Sequence, residues 1–218
     1  MREAENPQDP GGPSAAARGS YAKGVARRQE ILDRAIEVFA RRGSEGTSLR
    51  AIAREIGVSH AALTHYFSSR EALLVEVYRE AERQTHEHEP HDPDISAVKV
   101  MAASARRNHT VPGLVQLYST LVATALESGH PEATRFATIR FAQTRANLAE
   151  RVRRNQAAGL IRADVDPGTV AALVIAASDG LQSQKLLDDA AHQTQALMLL
   201  ESLLAPPRAV EAPPGLGD

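Results

Sequence analysis

The chain contains no cysteine and no tryptophan, and aromatic residues make up only 4% of its 218 positions. Without thiols there is no disulfide framework, no thiolate metal site and no catalytic cysteine. Long apolar runs are missing as well. The longest, Val170 to Ala177, is eight residues, against the roughly 18 that a bilayer-spanning helix needs. The opening residues, Met1 to Pro7, carry no apolar stretch of the kind found in a signal peptide. Neither secretion nor membrane insertion is expected, and the expected location is cytoplasmic. Enzyme signatures are equally scarce: there is no Gly-x-Ser-x-Gly, no phosphate-binding glycine loop and no His-Glu-x-x-His. Ser96-Ala-Val-Lys99 fits the Ser-x-x-Lys of some acyl-enzymes, but no Ser-Asp-Asn or Lys-Thr-Gly accompanies it. Neither an enzyme nor a bound cofactor is expected.

The formal charge is −2, but it is unevenly spread. Residues 21–75 hold nine basic and six acidic groups, whereas residues 76–218 hold fourteen basic and eighteen acidic. A small basic unit attached to an acidic remainder suggests a module facing a polyanion, joined to a part with another task. Chance asymmetry in a soluble protein is the plain alternative.

Strand-like alternation is hardly visible, and the expected fold class is all-α. Residues 1–22, with Pro7, Pro10, Gly11, Gly12 and Pro13, read as a disordered arm, and the Pro-rich stretch 206–218 as a disordered tail. The first helix is expected from about Lys23 to Arg42, with Ile31, Leu32, Ala35, Val38 and Phe39 on one stripe and Gly43 and Gly46 ending it. Ser48 can cap a short second helix bearing Leu49, Ile52, Ala53 and Ile56, and Gly57 stands where a left-handed residue closes it. Ser59 can cap a third helix over 60–67. Ser68 and Glu71 form a capping box for a fourth, through Tyr78. Longer elements follow at about 95–107, 112–128, 131–159, 167–187 and 190–205.

Two short helices around a glycine turn within 47–67 have the layout of a helix-turn-helix, whose second helix enters the major groove. Leu63 and Phe67 fall on the inward face, leaving His60, Ala61, Thr64 and His65 outward. Small Ala61 allows close approach to bases, and His60, Thr64 and His65 can hydrogen-bond bases or phosphates. Arg50 and Arg70 stand in the first turns of the flanking helices, where each can reach backbone phosphates and Arg50 can instead reach a guanine edge. An ordinary three-helix packing unit with polar outward residues is the plain reading of the same pattern.

The stretch from Arg28 to Leu74 closely resembles the DNA-binding domain of TetR-family transcriptional regulators. Gly46-Thr-Ser-Leu-Arg, Ile52-Ala, Gly57-Val-Ser and Leu63 through Phe67 all stand at the family's spacing. The resemblance implies a homodimeric, all-helical repressor that places two recognition helices on a palindromic double-stranded DNA operator and is released by a small-molecule effector. It implies a DNA-binding domain over 23–75, and a ligand-binding and dimerisation domain over 76–205. The DNA-facing set it implies is Ser48, Arg50, Ser59, His60, Ala61, Thr64, His65, Tyr66 and Arg70. Thr64 stands where many members have Tyr, and His60 where Lys is frequent. A shorter hydroxyl and a side chain without permanent charge imply a weaker sequence-independent hold on phosphate.

The C-terminal segments 130–136, 159–167 and 179–188 resemble one subgroup of the family more loosely, with Lys185 where an aromatic is common. On that resemblance the last long helices pair into a four-helix dimer interface and the middle helices enclose the effector. Val170, Val174, Leu181 and Gln182 are the expected dimer residues, burial wholly within one subunit being the alternative. Tyr118, Phe136, Arg140, Phe141 and Gln143 are candidate effector contacts, although aromatic residues at helical spacing are more often plain core. His86-Glu-His-Glu-Pro-His-Asp-Pro-Asp concentrates imidazoles and carboxylates, but it fits no closed metal-site spacing and reads as a solvated loop; no metal is assigned. The competing reading from another class is a helical protein-interaction module whose helix-turn-helix does not read DNA.

Overall fold

The computed structural model describes residues 15–42, 48–86 and 95–207. Within them the chain forms α1 (Ala15–Arg42), α2 (Leu49–Glu55), α3 (His60–Tyr66), α4 (Arg70–His86), α5 (Ala97–Thr110), α6 (Leu114–Ala125), α7 (Pro131–Ala157), α8 (Pro167–Leu187) and α9 (Gln193–Leu204). No strand occurs among the described residues, in line with the expected all-α class.

Helix ends follow local chemistry. Asp166 accepts from the backbone N–H of Thr169 and precedes Pro167, whose fixed φ suits the first helical position. Ser96 caps α5 by accepting from the N–H of Lys99, and both residues meet Glu201 of α9. The Ser-x-x-Lys pattern is therefore a cap tied to a neighbouring helix.

Several boundaries differ from the sequence reading, among them the ends of α5 and α6, at Thr110 and Ala125 against about 107 and 128. α1 begins at Ala15, so residues 15–22 of the expected arm are helical; Ala15 to Ala17 are strong helix formers. Residues 1–14 and 208–218 lie outside the described residues, as do the expected stop glycines at 43 and 46. α4 opens on Ser69, which accepts from the N–H of Ala72, rather than on Ser68, and it runs on to His86. α4 is thus one continuous rod through the expected boundary at 75/76.

Two apolar clusters organise the packing. The first joins α1–α4 to α6 and the start of α7, with Ile31, Ile52, Leu63, Leu73, Tyr78 and Leu121 essentially sealed from solvent. The second joins α5, the later part of α7, α8 and α9 around Val98, Val152, Val174 and Leu197. Asn155 of α7 accepts from the N–H of Ala97, at 3.0 Å, so the start of α5 is pinned against the end of α7.

The second cluster corrects the expected dimer residues. Val170, Val174 and Gln182 are buried inside the subunit, and Leu181 is half-buried against the same cluster. α8 is apolar almost all round, so periodicity could not say which side faces inward. Its outward side instead carries Leu173, Ala176, Gly180 and Leu187, and α9 exposes Leu199 and Leu203. Leu187, Leu199 and Leu203 are 90%, 61% and 64% exposed.

Candidate nucleic-acid interface and internal cavity

The segment α2–turn–α3 is built from two serine caps and one glycine. Ser48 accepts from the N–H of Ala51 at 3.2 Å, and Ser59 from the N–H of Ala62 at 3.0 Å. Between them Gly57 takes φ of 72°, and the N–H of Val58 returns to the carbonyl of Ala53. Left-handed backbone is strained for residues with a Cβ, which is why glycine stands there. Arg34 of α1 donates to the carbonyl of Ile56 at 2.9 Å, securing the end of α2.

Burial then separates the two faces of α3. Leu63 and Phe67 are sealed against α1, α2 and α4, while His60, Ala61, Thr64 and His65 are exposed, as is Arg50 on α2. Tyr66 is half-buried against the core with its ring edge-on to His65, and Arg70 is partly buried at the start of α4. The Thr64 hydroxyl is turned back onto the carbonyls of His60 and Ala61, so it can offer phosphate only its lone pairs or a rotated proton. Ser48 and Ser59 are caps first. α1 is locked to α4 by Arg28–Glu76 and by Gln29 on Glu80, making the helix-turn-helix a rigid mount.

A cavity of about 680 Å³ lies between α4, α5, α6, α7 and α8. The structure brings all five candidate contacts, Tyr118, Phe136, Arg140, Phe141 and Gln143, to its wall. Phe136 and Tyr118 also belong to the first apolar cluster.

Arg140 is already engaged. It makes a two-pronged ion pair with Glu82 of α4, at 2.8 and 2.7 Å, and lies over the rings of Tyr78 and Tyr118 at 5.0 and 5.1 Å. It is therefore a structural cation, and not an open receptor for a ligand carboxylate. The Tyr118 hydroxyl donates to Asp179 of α8 at 2.9 Å. Burial pushes the Asp179 carboxyl above its ordinary range, only partly offset by the Tyr118 hydrogen bond and the charge of Arg140.

Glu82, Asn108 and Asp179 on this wall were not among the sequence candidates, and Gln182, also on it, was expected at the dimer interface. Asp179 had a readable signal, since it is a charged residue close after the apolar stretch 170–177 of α8. Residues 87–94 of the His- and carboxylate-rich run lie outside the described residues. Elsewhere, among the described residues, no group of three or more His, Asp or Glu is placed to hold a metal ion. No described helix is long and apolar enough to cross a membrane.

The family model "Bacterial regulatory proteins, tetR family" matches residues 31–77. The HTH-type transcriptional repressor AcnR of Corynebacterium diphtheriae is 43% identical over 54 residues, which are 25% of this chain and 28% of that repressor. The match to that relative thus spans little more than a quarter of its length. The HTH-type transcriptional repressor Rv1474c of Mycobacterium tuberculosis is 26% identical over 157 residues, covering 72% of this chain and 81% of its own. Among solved structures, Salmonella enterica GusR is similar with a TM-score of 0.62 and 26% identity, over 81% of this chain and 92% of that one.

Proposed function

Taking as premise that residues 31–77 belong to the tetR family of bacterial regulatory proteins, we propose that the chain is a DNA-binding transcriptional regulator. It acts as a cytoplasmic homodimeric repressor that a small molecule releases from a palindromic operator. The observation that carries this is the division of α3. Leu63 and Phe67 anchor it to a rigid mount, and His60, Ala61, Thr64 and His65 form a short, exposed, unobstructed face with Arg50 beside it. His60, Thr64 and His65 read base edges or phosphates, Ala61 lets the helix approach, and Arg50 and Arg70 hold the backbone.

Release follows from α4. It carries Arg70 at one end and Glu82 at the cavity, so a ligand that moves Arg140 or Asp179 acts on the same rod that supports α3. Such a ligand works only through different affinities for the two arrangements. Dimerisation through the outward leucines of α8 and α9 places two α3 helices on half-sites about one helical turn apart or somewhat more. The repressor sense is supported by AcnR and Rv1474c, both repressors by name.

The test is selection from a random duplex pool at two salt concentrations, followed by Arg50→Ala with His60→Ala. The expected result is an enriched palindrome, with affinity lost in the double variant. Retention that depends on salt but not on sequence, and is unchanged by the substitutions, favours the helical interaction module instead.

A further inference from the structure

The cavity wall is not chemically even, and one part of it is rich in acceptors. Glu82, Arg140, Tyr118 and Asp179 form one connected group there, with two carboxylates against one guanidinium. Arg140 spends both of its prongs on Glu82. Among the described residues, Asp179 receives the neutral hydroxyl of Tyr118 as its hydrogen-bond donor and has Arg140 as the cation acting on it. Asn108 of α5, on the same wall and only 8% exposed, has a carbonyl oxygen Oδ1 that finds no donor among the described residues. A buried acceptor without a donor is costly, and so is an under-compensated carboxylate.

The other arginines of the wall, Arg79, Arg107, Arg151 and Arg154, do not act on Asp179, and Arg107, next to Asn108 on α5, has a partner of its own. Arg151 and Arg154 stand eleven and fourteen residues beyond Arg140 on α7, which is roughly 16 and 21 Å along the axis at ~1.5 Å per residue. Arg151 also donates to the carbonyl of Ile95, and Arg79, on the α4 side, pairs with Glu76 and lies over the Phe136 ring at 5.9 Å. Apolar surface is at hand from Phe136, Phe141 and Ile175.

Resting on the regulator reading for its biological sense, we propose that this part of the cavity binds an organic cation bearing N–H groups. Its ammonium or amidinium is held by Asp179 and donates to Asn108 Oδ1, and its apolar body lies against Phe136 and Phe141. A carboxylate ligand is repelled at Asp179 and Asn108 Oδ1, and Arg140, the guanidinium acting on Asp179, is already bound. A neutral ligand leaves Asp179 without its counter-ion.

The experiment uses the full chain and three cationic probes, benzylamine, phenethylamine and benzamidine, compared with benzyl alcohol and phenylacetate. Calorimetric titration and thermal melts are read at neutral pH. The amines are expected to bind and raise the melting midpoint, while the alcohol and the carboxylate do not. Asp179→Asn is expected to weaken amine binding about tenfold or more, the scale of losing a charge-assisted hydrogen bond. Should that variant fail to fold, Asn108→Asp serves, because a second carboxylate there tightens the amines. The proposal is overturned if no amine outperforms phenylacetate, if Asp179→Asn keeps the amine response, or if Asn108→Asp leaves it unchanged or weaker. Operator selection with ligand-free protein is run in parallel. A palindrome without amine binding sinks this proposal alone, and amine binding without a palindrome sinks the regulator reading alone.

Discussion

His130, the residue before α7, meets Glu71 in the first turn of α4 through its Nδ1, with Glu127 3.6 Å from its other ring nitrogen. Glu71 is the neighbour of Arg70, so this contact ties the α6–α7 turn to the base of the helix-turn-helix. Together with Arg140–Glu82 it joins α7 to α4 at two heights. Removing either partner is expected to lower stability by about 0.5–1.5 kcal/mol, the usual worth of such a bond. A double-mutant cycle of His130→Ala and Glu71→Ala, read by urea unfolding, checks it. Purely additive single effects would show that the two side chains are not coupled.

Arg140→Ala is expected to be the more damaging break. It strips the partner from Glu82, which is mostly shielded by α4 and α7, and opens space beside Tyr78 and Tyr118. Breaking one side of a shielded pair typically costs about 3 kcal/mol or more, while replacing both partners with apolar groups can be nearly neutral. Arg140→Met with Glu82→Leu should therefore unfold at a higher urea concentration than Arg140→Ala alone.

Asp179 and the α1–α4 carboxylates are expected to respond to pH with opposite sign. The folded Asp179 carboxyl sits above its unfolded value, so its favourable contribution is full below the ordinary carboxylate range and lost as pH rises through the raised value. For Glu76, burial is outweighed by Arg28 and Arg79. For Glu80, the Arg83 hydrogen bond outweighs burial, with Gln84 and Gln29 assisting. Both are held below the ordinary range, and their contribution is lost as pH falls through the lowered values. Asp179→Asn is thus expected to match or exceed the parent in stability at neutral pH and to lose that advantage in acid. Urea midpoints across a pH series measure the difference. A variant less stable at neutral pH than in acid, relative to the parent, would reverse the sign.

At the helix-turn-helix, Gly57→Ala is expected to cost about 1–2 kcal/mol, because φ of 72° strains any residue with a Cβ. Space is not the cause, since an added Cβ would meet only Arg34 Nη1, at an ordinary 3.6 Å. Ser59→Ala removes the cap on α3 and is expected to cost about 1 kcal/mol. Thermal melts of both variants check this, and Ser59→Asp should recover most of the cap.

Leu173→Glu with Leu199→Glu places charge on the outward faces of α8 and α9. The expected outcome is a monomer by light scattering with near-parental helicity, because neither side chain belongs to the buried clusters. The same pair of changes should weaken operator binding by far more than it lowers stability. An unchanged dimer would place the interface elsewhere.

Much of the helix-turn-helix was determined by sequence alone. Its caps, its Gly57 turn and the inward spacing of Leu63 and Phe67 are local features, and the structure keeps them with shifts of a residue or so. Caps and left-handed turns depend on residues a few positions apart, so the chain states them directly. The longer helices were legible as elements for the same reason, through Pro131, Gly159 and Asp166-Pro167. The tertiary structure alone decided which face of α8 is inside. Val170 and Val174 are as apolar as Leu173, and only packing against α5, α7 and α9 selects between them. It also decided that Arg140 is spoken for by Glu82, 58 residues away, and that Asp179 and Asn108 share one wall. Those relations join charges and acceptors far apart in sequence, and no periodicity encodes a partner on another helix.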